Sequence, residues 1–254
     1  MPLLDFFNAI VAHSTHTAAN YQDLVPQQVG GHLIHPQPIP FFGNIQHADV
    51  KFFTIGVNPS ATEFFQRNWP DVDLPPAQLR DRLLHYFDPG QIPQPHPWFS
   101  IWNAALAPLE IHYGHNLAHL DLSYRATRSM GTFHGPQRDL FHQMVNADSQ
   151  FFFQLLEQVL PRARGLLMAG TAGQYYINHL FQQIAAVNSP HFQLNHVETL
   201  HPGPRARIEI FQLQGAERIV PVFFCSSSPS DRWNRGQLAN NVQGVVPALQ
   251  RHGF

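Results

Sequence analysis

Short apolar runs of strand length, each closed by a polar turn, recur along this chain with helix-like stretches between them. Residues 50–57 form such a run and stop at Asn58-Pro59-Ser60. Residues 165–169 form another, followed by Gly170-Thr171-Ala172-Gly173 and a helical pattern over 174–187. Apolar and β-branched residues bounded by Gly, Pro, Asn and Ser favour extended backbone, and strands separated by helices are joined by crossovers. Further strands are predicted at 118–122, 197–200, 207–214 and 220–225. Helices are predicted at 3–13, 14–25, 78–87, 99–107, 150–160 and 237–250, with loops at 25–42, 88–97 and 226–234. The predicted class is α/β, a three-layer αβα sandwich with a central, mostly parallel four-stranded sheet. Residues 1–254 read as a single domain, because no repeat or domain-scale linker interrupts the pattern.

Composition excludes several classes. Hydrophobic residues make up 44% of 254 residues, enough for one sizeable core and too many for a disordered chain. A single cysteine, Cys225, rules out an internal disulfide framework and fits a reducing compartment. No signal-peptide pattern opens the sequence and no apolar run is long enough to span a bilayer, so a cytoplasmic protein without a membrane partner is expected. The net charge of -2 makes no bulk case for a polyanionic partner. Lys51 is the only lysine, however, so nearly all positive charge is arginine, the better bidentate phosphate ligand.

In mostly parallel sheets, ligands bind beyond the carboxyl ends of the strands. Four polar loops leave strand ends here: after Val57, over residues 121–128, after Ala169 and after Cys225. Function is sought in those loops.

The stretch Phe-Phe-Thr-Ile-Gly-Val-Asn-Pro-Ser-Ala-Thr-Glu over 52–63 resembles the first motif of the uracil-DNA glycosylase superfamily. Its core, Gly56-Val57-Asn58-Pro59-Ser60, is similar to the form found in the mismatch-specific thymine/uracil and single-strand-selective branches. Residues 222–236, from Val222 to Gly236, look like the last motif, a strand ending in a Ser/Pro-rich loop ahead of a final helix. His-Leu-Asp-Leu-Ser-Tyr-Arg-Ala-Thr over 119–127 lies where the family's second strand carries its base-reading asparagine. Gly165 to Gly170 matches the family's strand-to-helix step. The resemblance runs from about residue 50 to the C-terminus and leaves the first 45 residues uncovered.

That resemblance implies an enzyme that flips a nucleotide out of DNA and hydrolyses its N-glycosidic bond, with DNA as partner and neither cofactor, metal nor protein partner. Asn58 would position the attacking water, and Asp121 would read the base. Gly56, Pro59, Ser60, Phe64, Phe65 and Ser226 would line the base pocket, one of the two phenylalanines stacking on the base. Ser227, Ser228, Ser230, Arg232, Trp233 and Arg235 would hold the DNA backbone and supply the wedge. His-Pro-Gly-Pro over 201–204 also resembles the last motif, and would bring His201 to the DNA; a proline turn between strands is the other reading.

Departures from the family pattern bear on the substrate. An asparagine both donates and accepts, which suits uracil, whereas an ionised aspartate only accepts, which suits the exocyclic amine of cytosine. Ser60 is small where the uracil-specific enzymes carry tyrosine, and leaves room for a substituent on pyrimidine C5. Ser226 replaces the usual histidine donor. A 5-substituted cytosine, such as the hydroxymethyl or glucosylated forms of phage DNA, is therefore the predicted target, with antiviral defence as the setting. Excision of uracil or of mismatched bases is the alternative activity, and a catalytically silent DNA-binding module the alternative class. No lysine stands at a Schiff-base position, so the mechanism is expected to be monofunctional. Two rival sites are legible: His112, His115 and His119 at metal-ligand spacing, and Cys225 as a thiol at a strand end.

Overall fold

The computed structural model describes residues 1–24, 28–29, 32–33, 37–59, 74–91, 96–127, 133–169, 192–203, 206–215, 218–225 and 244–254. The strands among them are β1 (Gln28–Val29), β2 (His32–Leu33), β3 (Phe41–Phe42), β4 (Phe52–Gly56), β5 (Leu117–Asp121), β6 (Gly165–Ala169), β7 (Gln193–Gly203), β8 (Ala206–Gln214) and β9 (Ile219–Cys225). The α-helices are α1 (Leu3–Thr17), α2 (Pro76–Leu84), α3 (Pro97–Leu106), α4 (Pro136–Val159) and α5 (Val245–Arg251). β1 and β2 make a small antiparallel ribbon, and the other strands form one sheet in the order β3-β5-β4-β6-β9-β8-β7.

Within that sheet β5, β4, β6 and β9 run parallel. β3 at one side and the β7–β8 hairpin at the other are antiparallel. The expected four-stranded sheet is thus corrected to a mixed sheet of seven strands. β3 is only two residues long, too short to leave a periodic signal, and lies within what reads as a proline-rich loop. β7 has no buried residue from Gln193 to His201, with Val197 44% exposed, so no apolar run marks its full extent. Its register shifts between His196 and Glu198, and again between Leu200 and Gly203. Such irregularities obstruct further pairing at an open sheet edge.

The parallel strands carry the clearest sequence signal because both of their faces are buried, which requires nearly continuous apolar sequence. Phe52, Phe53, Thr54 and Ile55 are all buried, as is every residue from Leu117 to Asp121. α2 and α3 both start with proline in the first turn, where the missing N–H costs nothing and the fixed φ suits the helix.

α4 spans 24 residues, more than twice the stretch predicted at 150–160. Its buried face runs through Phe141, Met144, Val145, Asp148, Phe152, Leu155, Leu156 and Val159 at helical spacing. An acidic residue in the middle of that stripe hides the first half of the helix from an apolar-periodicity reading. α1 buries Phe6, Phe7 and Ile10. Phe6 meets Phe151 edge-on at 6.2 Å, and Phe7 meets Phe41 edge-on at 5.7 Å. Each such side chain contributes roughly 1.5–3 kcal/mol on burial, so the segment left uncovered by the resemblance is part of the core. The helix predicted at 14–25 is replaced by the end of α1 and a short 3-10 turn, Ala18–Tyr21. The predicted helix at 174–187 lies outside the described residues. Among those described, no helix is long and apolar enough to cross a membrane.

Candidate functional site

β4 and β5 end side by side, with Gly56 paired to Asp121. The pairing continues into the loops: the Leu122 N–H donates to Gly56 O at 3.0 Å, Ser123 N–H to Val57 O at 2.9 Å, and Thr127 N–H to Pro59 O at 3.3 Å. The turn bearing Asn58 is therefore laid along residues 121–127, at the carboxyl ends of two adjacent parallel strands. Sequence reasoning placed Gly56, Asn58, Pro59 and Asp121 in one site, and the structure brings these four together.

The Asn58 side chain is held by its nitrogen. Nδ2 lies 3.0 Å from Pro59 O, 3.1 Å from Arg125 O and 2.8 Å from Thr127 Oγ1, its two N–H groups being shared among the three acceptors. An amide has two N–H donors and one carbonyl, so engaging the donor end fixes which way the oxygen points.

Asp121 is 3% exposed. Its Oδ1 lies 3.2 Å from His119 Nε2, whereas Oδ2 is buried and has no hydrogen-bond partner among the described residues. Burial pushes its carboxyl above the ordinary carboxylate range, opposed by the neighbouring His119. Gly56 makes this packing possible. A Cβ there would fall 2.5 Å from Asp121 Oδ1 and 3.0 Å from the His119 ring. Close approach of two strands to a carboxylate, rather than a tight turn, is why the motif needs glycine at this position.

Behind Asp121 stands a buried chain of polar groups that the motif reading missed. His119 Nδ1 lies 2.8 Å from Thr54 Oγ1, which lies 2.5 Å from the Tyr113 hydroxyl. Trp98 packs edge-on against the imidazole at 4.7 Å, with Phe99 and Phe42 at 5.4 and 5.8 Å. Strand geometry is the signal that finds this group. Residues two apart share a face, which puts His119 and Asp121 together, and the β4–β5 register sets Thr54 opposite His119.

A second buried cluster secures the loop from beneath. Arg125 Nε lies 3.2 and 3.1 Å from the two carboxylate oxygens of Asp148 on α4. Ser123 Oγ donates to Asp148 Oδ2 at 2.6 Å, and Arg125 Nη2 donates to the Tyr124 hydroxyl at 2.7 Å and to Thr17 Oγ1. The guanidinium also reaches the Ser14 carbonyl at 3.4 Å and sits 5.1 Å from the Tyr21 ring centre. Arg125 and Asp148 are 2% and 0% exposed. Burial raises the Asp148 carboxyl, and the Arg125 charge and Ser123 hydroxyl oppose that rise. The loop that receives Asn58 is thereby tied to α1, the turn after it and α4.

The remaining predicted residues fall elsewhere. Ser60, Phe64, Phe65, Ser226, Ser227, Ser228, Ser230, Arg232, Trp233 and Arg235 lie outside the described residues. His201 is exposed on β7, four strand positions from β4 in the sheet order. It belongs to the β7–β8 hairpin, in which Gly203 pairs with Ala206. Cys225 closes β9 fully buried, and burial pushes its thiol up to about 12, which removes it as a nucleophile at neutral pH. The three histidines do not converge: the rings of His112 and His115 stack on each other at 5.2 Å, while His119 is engaged in the buried chain. Among the described residues no group of three His, Cys, Asp or Glu side chains is arranged to hold a metal ion. A cleft lined by Arg164, Arg218, Ile219, His252 and Phe254 lies at the opposite, amino end of β6 and β9, away from Asn58 and Asp121. No family model, curated protein or solved structure matches the chain.

Proposed function

We propose that this chain is a monofunctional DNA glycosylase that releases an amino-bearing, 5-substituted pyrimidine from DNA. The observation that carries the reading is that the strand leading into Asn58 and the strand ending in Asp121 finish side by side, with Gly56 paired to Asp121. Asn58 is an amide locked by its donor end, and Asp121 a buried carboxylate with one oxygen unengaged among the described residues. A buried, unpaired carboxylate oxygen is costly, and its presence at a strand end calls for a role. In the proposed fold, a three-layer αβα sandwich, this is the position where ligands enter.

In the proposed reaction the nucleotide is rotated out of the helix and its base edge meets Asp121. Asp121 accepts a hydrogen bond from the exocyclic amine and orients the base, whose developing negative charge is relieved by the proton it receives from the water. The bond between the base nitrogen and C1′ breaks with its electron pair going to the base, leaving an oxocarbenium-like sugar. Asn58 Oδ1 orients a water whose oxygen bonds to C1′. An amide takes no proton at neutral pH, so its contribution is orientation, and the water's proton passes to the departing base. The products are a free base and an abasic site.

Duplex and single-stranded oligonucleotides carrying uracil, a thymine mismatch, hypoxanthine, cytosine, 5-hydroxymethylcytosine or glucosylated cytosine test this, with alkali cleavage revealing abasic sites. Strand scission at a modified cytosine, lost in Asn58→Ala, is the expected result. Scission at uracil alone would move the assignment to a repair glycosylase. Binding without scission at any base would leave a DNA-binding module.

A further inference from the structure

The polar chain behind Asp121 has a direction. A phenol hydroxyl donates better than an aliphatic one, which favours Tyr113 as the donor to Thr54 Oγ1 across 2.5 Å, and burial raises the phenol so that it keeps its proton. Thr54 then has its own proton to place. His119 Nδ1 at 2.8 Å is nearer than the Ala118 carbonyl at 3.4 Å. An imidazole nitrogen that accepts leaves the other nitrogen to donate, and His119 Nε2 faces Asp121 Oδ1 at 3.2 Å. The aromatic wall of Trp98, Phe99 and Phe42 restrains the ring from turning over.

We propose that Tyr113, Thr54 and His119 form a positioning relay for Asp121. It fixes His119 as the neutral Nε2–H tautomer, occupies Oδ1, and leaves Oδ2 as an acceptor for one N–H of a base. This rests on the reading of Asp121 as the group that meets the base, and it narrows the ligand class. A heterocycle edge bearing an amine satisfies Oδ2, whereas a keto edge sets one lone pair against another and is rejected. His119 acts through Asp121 and does not itself touch the substrate.

Among the described residues, few other ionisable groups bear on this position. His119 on the same strand faces Asp121, and Tyr113 in the turn ahead of β5 feels its charge. The neighbouring strands bring Phe41, Phe42, Thr54 and Gly56 alongside, none of which is charged.

The test uses the whole, DNA-free protein with labelled histidine and aspartate side chains. In wild type, nitrogen NMR is expected to show His119 protonated on Nε2 only at neutral pH. Thr54→Val, nearly the same shape, is expected to abolish that preference. Carboxyl carbon titration is expected to place the Asp121 midpoint about one pH unit higher in His119→Phe than in wild type, the scale of one charge-assisted hydrogen bond. His119→Gln, whose amide can still donate to Oδ1, is expected to bring the midpoint back. On a DNA substrate, the acid limb of the pH–rate profile should move with that midpoint, whereas a merely structural loss lowers the rate equally at every pH. A wild-type His119 protonated on Nδ1, or an Asp121 midpoint unmoved in both His119 variants, overturns the relay. Should His119→Phe not fold, the Thr54→Val tautomer measurement decides alone. The correct tautomer in a protein that releases no base overturns the glycosylase reading and leaves the relay standing. Base release with the wrong tautomer does the reverse.

Discussion

The Asn58 side-chain amide donates to the main-chain carbonyl of Arg125 at 3.1 Å, so the residue proposed to handle water is oriented by one whose own side chain is buried elsewhere. Because that amide is also engaged by Pro59 O and Thr127 Oγ1, its oxygen has one direction available. Asn58→Ala is expected to lower single-turnover base release at least about 100-fold while DNA affinity, read by fluorescence anisotropy, changes little. Thr127→Val removes one of three anchors and should cost roughly tenfold in rate with KM nearly unchanged. Full activity of Asn58→Ala would overturn its assignment.

Arg125 and Asp148 bear on stability first. Asp148→Asn leaves a buried guanidinium without its countercharge, and breaking a buried pair from one side costs about 3–5 kcal/mol. Denaturant unfolding at neutral pH is expected to show a loss of that size. Replacing both partners by leucine and methionine should cost less than the sum of the two single losses, because no lone charge is left inside.

Gly56→Ala asks for space that the structure does not have. Its Cβ would meet Asp121 Oδ1 at 2.5 Å, a distance at which the strand or the carboxylate must move. A stability loss of about 1–3 kcal/mol is expected, accompanied by a weakened His119–Asp121 contact. The thermal midpoint and the Asp121 carboxyl signal measure the two effects separately.

Asp121 also makes stability depend on pH. Its folded value is raised by burial above the ordinary 3.8, so the folded chain holds that proton more tightly than the unfolded chain. Its contribution is fully present below the unfolded value and is lost as pH rises through the folded one. Asp121→Asn cannot ionise and escapes that loss. As pH rises from about 4 through the folded value, the stability difference should therefore shift in favour of the variant, by about 1.4 kcal/mol for each unit of pKa elevation. A difference independent of pH would show that Asp121 keeps an ordinary value.

The four parallel strands were legible because burial on both faces demands apolar runs, and Phe52–Ile55 or Leu166–Met168 carry little else. The partnership of the Asn58 turn with Asp121 was legible through motif order. What stayed hidden was carried by polar residues in buried places. Asp148 interrupts the stripe of α4, and Arg125 reads as a solvent-exposed loop residue until Asp148, Thr17 and Tyr124 are seen around it. His119, Thr54 and Tyr113 are scattered in sequence and converge only when β4 and β5 pair in register. β7 was underestimated because an exposed edge strand places few demands on residue type.

Among the described strands, β9 joins the sheet's two parts by pairing with both β6 and β8. As the chain is synthesised, β3 to β6 can assemble first, and the β7–β8 hairpin then emerges with no place to dock until β9 has left the ribosome. In that interval the outer side of β6 and the inner side of β8 both present unpaired backbone, a template for pairing with other chains. Substitutions that slow the emergence or insertion of β9 will therefore lower the yield of soluble protein without changing the stability of molecules that have completed folding.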